Sequence, residues 1–418
     1  MGKKWKLDYK WVIAAACFIL CVVGLGLCSG NAGLFVVSTT EALKISRSAY
    51  AVNSSLRYVA TAVMNMFFGA MVMKFGPRKL IGAGMLILIL SCVSYAVAKT
   101  VVGLYIGGIL LGVGLTFAGT TIIGYVIKQW FAEHRGVVLG VVLSANALGA
   151  AVSAPWFSSM IASAEFGYRK AYWAVAAVLL VSGIVLVLLF RDSPKGKTLS
   201  EDSKKTKKTS AWEGNTYGQK AQKPYFYLIC TCLVLTGMVL ASSAGVAAAH
   251  MEDRGLDLAY VAVVTSVYSL MLAASKLIVG ALSDKKGLRF AVLTCDVAAL
   301  LMVILLCVVS GSAFGKVIAM IYAFSAGLAL PLQTVLLPLM ASDLYREEDY
   351  GKALGVFTAA NSIGFLLGNT LANLCFDWLG TYRHILVADG VLMVAISVGF
   401  VFAYEKLTAS RKMLNSKA

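Results

Sequence analysis

Residues 135–149 read Arg-Gly-Val-Val-Leu-Gly-Val-Val-Leu-Ser-Ala-Asn-Ala-Leu-Gly, and residues 350–364 read Tyr-Gly-Lys-Ala-Leu-Gly-Val-Phe-Thr-Ala-Ala-Asn-Ser-Ile-Gly. At a constant offset of 215, Gly136, Leu139, Gly140, Val141, Ala145, Asn146 and Gly149 return as Gly351, Leu354, Gly355, Val356, Ala360, Asn361 and Gly364. A second echo sets Gly69, Lys74, Gly76, Arg78 and Lys79 against Gly280, Asp284, Gly287 and Arg289. Each member of a pair follows an apolar run of the same rank, so the chain reads as two parallel repeats.

The composition says what is repeated. Of 418 residues, 59% are hydrophobic and 14% charged, whereas soluble domains carry ~25% charged residues. A soluble enzyme is excluded. The apolar runs are long and unbroken, where an outer-membrane barrel would alternate polar and apolar residues. Twelve runs are long enough to cross a bilayer, at about 11–37, 48–73, 79–98, 101–127, 136–162 and 169–190, then 225–250, 258–283, 289–310, 315–341, 352–377 and 383–404. The expected fold is an all-α membrane protein of twelve transmembrane helices in two six-helix pseudo-symmetric bundles. The domains are 1–190, a linker 191–224, 225–404 and a tail 405–418. The first run follows a Lys-rich start and is of full spanning length, which reads as a signal anchor, not a cleaved leader.

Charge sets the orientation. The formal net charge is +17, which in a soluble chain would raise nucleic acid as a partner. Here 27 of the 37 Lys and Arg fall on one side of the twelve runs, eight on the other and two within them. Positive residues concentrate in cytoplasmic loops, so both termini and the linker are expected to be cytoplasmic, with no nucleic-acid partner. The run Lys204–Lys208 reads as a solvated, topogenic stretch. Nine cysteines lie in apolar runs without paired C-x-x-C spacing and read as core residues. The three histidines are scattered, no nucleotide-binding loop is present, and no metal or cofactor is expected.

Ionisable groups in hydrocarbon cost about 2.5–3.5 kcal/mol each at mid-span, so those that remain there are candidates for function. Arg57 lies nine residues after Ser48, and Lys276 eight before Asp284, which places both near the middle of their runs. Parallel six-helix repeats place a site near the midplane. One cation from each half would meet an anionic group there, Arg57 as a planar fork and Lys276 as a point charge. Asp296 and Asp389 also fall within runs and read as structural, with His250 as the remaining titratable group. Uncharged polar residues that would complete a pocket are Asn31, Thr120, Asn146, Tyr268, Gln333 and Asn361, with Asn53, Asn65 and Thr116 behind them. Trp156 is deep enough to wall a cavity, while Trp130 and Trp378 fall at interfaces where aromatic belts are expected. Asn146 and Asn361 carry extra weight because the repeat makes them equivalent.

These features resemble the major facilitator superfamily over nearly the whole chain. That family's loop motif appears as Gly280, Asp284, Gly287 and Arg289, and in degraded form as Gly69, Gly76 and Arg78, with Met73 where an Asp is usual. Residues 74–78, 129–136 and 280–285 are similar to the oxalate:formate antiporter and monocarboxylate transporter branch. The resemblance implies a carboxylate-binding cation a few residues before Gly280, the place held by Lys276. It also implies two features that this chain lacks. No basic residue follows Lys352 before Asp377, and Leu272 stands where proton-coupled carriers have Asp.

The expected function is secondary transport of a small organic anion, most simply a monocarboxylate, by alternating access, with a proton or counter-anion as coupling partner. The protein is expected to work as a monomer in a plasma membrane, of the bacterial inner-membrane kind. One rival is a facilitator or exporter of a zwitterionic or drug-like solute. The other is a non-transporting receptor of the same fold.

Overall fold

A computed structural model describes residues 9–31, 34–45, 47–131, 133–162, 167–191, 224–345 and 347–415. The run Lys204–Lys208 lies outside them. Among the described residues, twelve helices are long and apolar enough to cross a membrane. In order they are Tyr9–Leu27, Val52–Phe75, Pro77–Val97, Val101–Trp130, Arg135–Ile161 and Gly167–Leu189, then Pro224–Asp253, Val263–Lys286, Leu288–Val308, Ala313–Thr334, Asp349–Leu379 and Arg383–Lys406. Below they are called spans one to twelve. Backbone groups have no water to bond in hydrocarbon, which is why the apolar runs become helices.

The chain divides into two compact units, Met1–Thr61 with Phe68–Trp212, and Ala62–Phe67 with Glu213–Ala418. Each carries the same irregularities at matching places. Span four is two helices, Val101–Ala118 and Thr120–Trp130, separated at Gly119, whose backbone is extended. Span ten ends its main helix at Ala329 and resumes as the short turn Pro331–Thr334, after which Leu336–Leu344 follows. Gly76 and Gly287 begin spans three and nine with φ of 77° and 88°, a left-handed setting that a side chain resists.

The first span differs from its expected length. It runs as α-helix to Leu20, as a π-helical stretch over Cys21–Leu27, and is followed by a separate helix Leu34–Leu43. The π stretch brings Gly24 and Gly26 to its neighbours: a Cβ at Gly24 would stand 2.6 Å from the Ala118 carbonyl oxygen, and one at Gly26 2.7 Å from the Gly149 Cα. π-Helical turns inside α-helices are rare and concentrate at functional sites.

Candidate functional site

In the first unit, Arg57 lines a cavity of about 30 Å³ together with Tyr50, Asn53, Cys28, Tyr95 and Tyr172. That is room for one or two water molecules. Span two reaches it because glycines of span four let its backbone come close. A Cβ at Gly108 would stand 2.7 Å from the Asn53 carbonyl oxygen, and one at Gly112 would collide with that of Arg57. Tyr50, Asn53 and Arg57 follow at helical spacing and so share one face. The Tyr95 hydroxyl donates to Asn53 Oδ1 at 3.1 Å, and Tyr50 and Tyr172 line the same cavity. The Arg57 guanidinium lies 4.6 Å from the centre of the Tyr58 ring, an arrangement that favours a cation.

An aromatic ladder backs this cavity. Trp156 stacks on Phe157 at 5.5 Å between centroids, Phe157 meets Phe35 at 5.3 Å, Phe35 meets Tyr172 at 4.5 Å, and Tyr172 stacks on Tyr95 at 5.0 Å. Trp156 is thus the far rung, not a lining residue. Tyr50, Tyr95 and Tyr172 were not among the residues expected from the sequence. The spacing of Tyr50 ahead of Asn53 and Arg57 was a usable signal. Tyr95 and Tyr172 sit near span ends, where aromatic residues ordinarily mark the interface.

Two polar residues expected near the anion are spent on packing. Asn31 donates to the Ala150 carbonyl at 2.8 Å and to Ser153 Oγ at 2.7 Å. Asn361 is buried and directs Nδ2 at the Leu233 carbonyl, 3.5 Å away. Its repeat mate Asn146 sits at the matching contact of spans one and five, with its carbonyl oxygen 3.1 Å from a Cβ at Gly26. Asn146 Oδ1 has no hydrogen-bond partner among the described residues. Thr120 opens the second half of broken span four and does not line the Arg57 cavity.

In the second unit, Lys276 is buried, with 2% of its surface exposed. The neighbouring Ser275 Oγ donates to the Gly327 carbonyl at 2.5 Å, and a Cβ at Gly327 would stand 2.6 Å from that of Met271. Span eight is therefore held to span ten one turn before the break at Leu330. Gln333 lies in the turn past that break and is buried, with Nε2 unpaired among the described residues. Tyr268 lies two helical turns before Lys276 on span eight, half-buried, near Tyr322 of span ten.

The other buried titratable groups separate clearly. Asp389 Oδ2 accepts from Ser242 Oγ at 2.5 Å and Ser243 Oγ at 3.0 Å, and His250 Nε2 meets the Leu306 carbonyl at 3.0 Å. Both tie helices together. Asp296 is equally buried, beside Ser397, and neither carboxylate oxygen has a well-formed hydrogen bond among the described residues. Of the loop motif, Gly69 and Gly280 are buried, Asp284 is exposed, Arg289 pairs with Glu405 at 2.7 Å, and Arg78 Nε donates to the Val187 carbonyl at 2.8 Å. No group of three or more metal-binding side chains occurs among the described residues.

The sequence profile of the Major Facilitator Superfamily matches residues 16–338 and again 227–417. The chain belongs to the Major Facilitator Superfamily. It is a membrane transporter and not an enzyme. Within the Major Facilitator Superfamily it is 24% identical to human monocarboxylate transporter 2, over 98% of this chain and 89% of that one. It is 21% identical to multidrug resistance protein 2 of Bacillus subtilis (strain 168), over 84% and 86%. Its fold matches the crystal structure of the superfamily transporter FucP in the outward conformation, with a TM-score of 0.70, 13% identity and coverage of 94% and 99%.

Proposed function

We propose that the protein is a secondary transporter of a small organic anion, most simply a monocarboxylate, working by alternating access in a plasma membrane with both termini cytoplasmic. Lys276 is assigned to the carboxylate, and Arg57 is a second cation for the transported anion. The observation that carries this reading is Lys276 itself, an ammonium 2% exposed in an apolar span, which is too costly to keep without a use. Arg57 supports it, because the cavity it lines carries phenol and amide groups and, among the described residues, no acidic side chain. The likeness to a monocarboxylate transporter points the same way. A proton or a counter-anion is the coupling partner.

The test is a thermal-shift screen of the purified protein against formate, acetate, lactate, pyruvate, oxalate, succinate and aromatic acids. Stabilisation by monocarboxylates that vanishes in Lys276→Ala supports the assignment. A stabilisation that survives Lys276→Ala sinks it.

A second reading is export of a zwitterionic or drug-like solute. It is favoured by the absence of a basic residue between Lys352 and Asp377 on span eleven and by the likeness to a multidrug resistance protein. A response to amines or amino acids with none to plain acids would select it.

A further inference from the structure

We propose that Asp296 is a proton-binding site, and that the bound proton fastens span nine to span twelve through Ser397. The register of the two helices brings the pair together. Arg289 at the start of span nine meets Glu405 near the end of span twelve at 2.7 Å, and a Cβ at Gly390 would stand 3.6 Å from Val303 Cγ1. The helices are therefore antiparallel, and midway between these two contacts Asp296 comes opposite Ser397. The aspartate is 2% exposed and stands beside that hydroxyl. Span seven closes over the seam, since a Cβ at Gly399 would stand 3.2 Å from Cys232 Sγ.

The donors and acceptors decide the form of the carboxyl. Ser397 Oγ donates to the Met393 carbonyl at 3.0 Å, so its one proton is spent and its oxygen is left to accept. An ionised Asp296 can only accept, and neither of its oxygens has a hydrogen-bond partner among the described residues. With its proton in place, the carboxyl has the donor that Ser397 can take. Charge points the same way. The titratable groups close to Asp296 are the thiols of Cys232 on span seven and of the adjacent Cys295. Among the described residues, no Lys, Arg or His of spans seven, eight, ten or twelve faces it. A buried carboxylate without a partner is so costly that taking up a proton is the cheaper state. Asp389 in the same unit is the contrast. It is 1% exposed but accepts from Ser242 and Ser243, the donors that Asp296 lacks. Loss of the proton at alkaline pH leaves an unmet charge between spans nine and twelve and loosens their contact.

Thermal melting of the full chain in detergent, followed from about pH 5 to about pH 9, tests this. Asp296→Asn keeps the shape and a donor but cannot ionise, so it is expected to match wild type at acidic pH. Wild type should then fall about 2–4 °C below the variant as the pH rises. The sign follows from linkage: a group that holds its proton in the fold contributes stability that is lost on raising the pH. A difference between the two that does not change with pH overturns the proposal, as does a wild type that gains on the variant at alkaline pH. Should Asp296→Asn not fold, infrared spectroscopy of Ser397→Ala decides. Removing the acceptor is expected to move the carbonyl stretch of one protonated carboxyl to higher frequency, and a carboxyl region unchanged from wild type overturns the proposal.

Discussion

Gly237 of span seven faces the backbone of Asn361 of span eleven: a Cβ on the glycine would stand 2.5 Å from the asparagine's carbonyl oxygen and 3.0 Å from its Nδ2. Gly364 and Gly368 continue the same contact one and two turns on, against Val234 and Met238. Gly26 and Asn146 repeat it in the first unit with Gly149. Small residues of this kind let membrane helices approach backbone to backbone, where close packing holds them. Gly237→Ala is therefore expected to destabilise by ~1–3 kcal/mol, the usual cost of overpacking, seen as a lower melting temperature in detergent. Gly390→Ala is the control. Its Cβ would meet Val303 at 3.6 Å, an ordinary contact, and its melting temperature should hold or rise.

Lys276→Ala should reduce anion uptake into proteoliposomes by at least ~10-fold if the ammonium holds the substrate charge, since losing one charge-assisted bond costs about 1.5–3 kcal/mol and more where water is excluded. Lys276→Arg should recover part of it. A helical circular-dichroism spectrum like that of wild type must accompany both, and undiminished uptake would remove Lys276 from the site.

Around Arg57 the phenols set the geometry. Tyr95→Phe removes the donor to Asn53 Oδ1, so Asn53 is expected to reorient and the KM for the anion to rise about three- to ten-fold, the effect of one neutral hydrogen bond. Trp156→Phe, at the far rung of the ladder, should leave KM within about two-fold because it removes only stacking at a distance. Equal effects from the two would show that the ladder, not the cavity, matters.

Asp389 behaves as a structural clasp. Asp389→Ala leaves the hydroxyls of Ser242 and Ser243 without their carboxylate, and stability is expected to drop by ~2 kcal/mol. Asp389→Asn retains an acceptor and should lose less than half of that. Uptake per folded molecule should be unchanged in Asp389→Asn. A selective loss of uptake with normal melting would instead place this carboxylate in transport.

The break in span four rests on Gly119, where a Cβ would collide with the Leu115 carbonyl oxygen. Interrupted spans at matching places in the two repeats accompany binding sites in transporters. Gly119→Ala is expected to slow turnover more than it lowers melting temperature. A proportional loss of both would make the break a matter of packing alone.

By itself, the sequence determined the twelve spans and the internal repeat. Hydropathy is summed over about 19 residues, and the bilayer leaves a long apolar segment no alternative to a helix. It also singled out Arg57 and Lys276, since charge in hydrocarbon is conspicuous in a one-dimensional string. The tertiary structure alone decided what those summed signals cannot contain. The π stretch at Cys21–Leu27 and the breaks at Gly119 and Leu330 are local backbone departures within windows that remain uniformly apolar. The division of polar residues into clasps, such as Asn31 and Asp389, and cavity walls, such as Tyr50, Tyr95 and Tyr172, depends on partners dozens to more than a hundred positions away. A hydrogen bond forms across space, and nothing in the spacing of a single helix says which neighbour will face it.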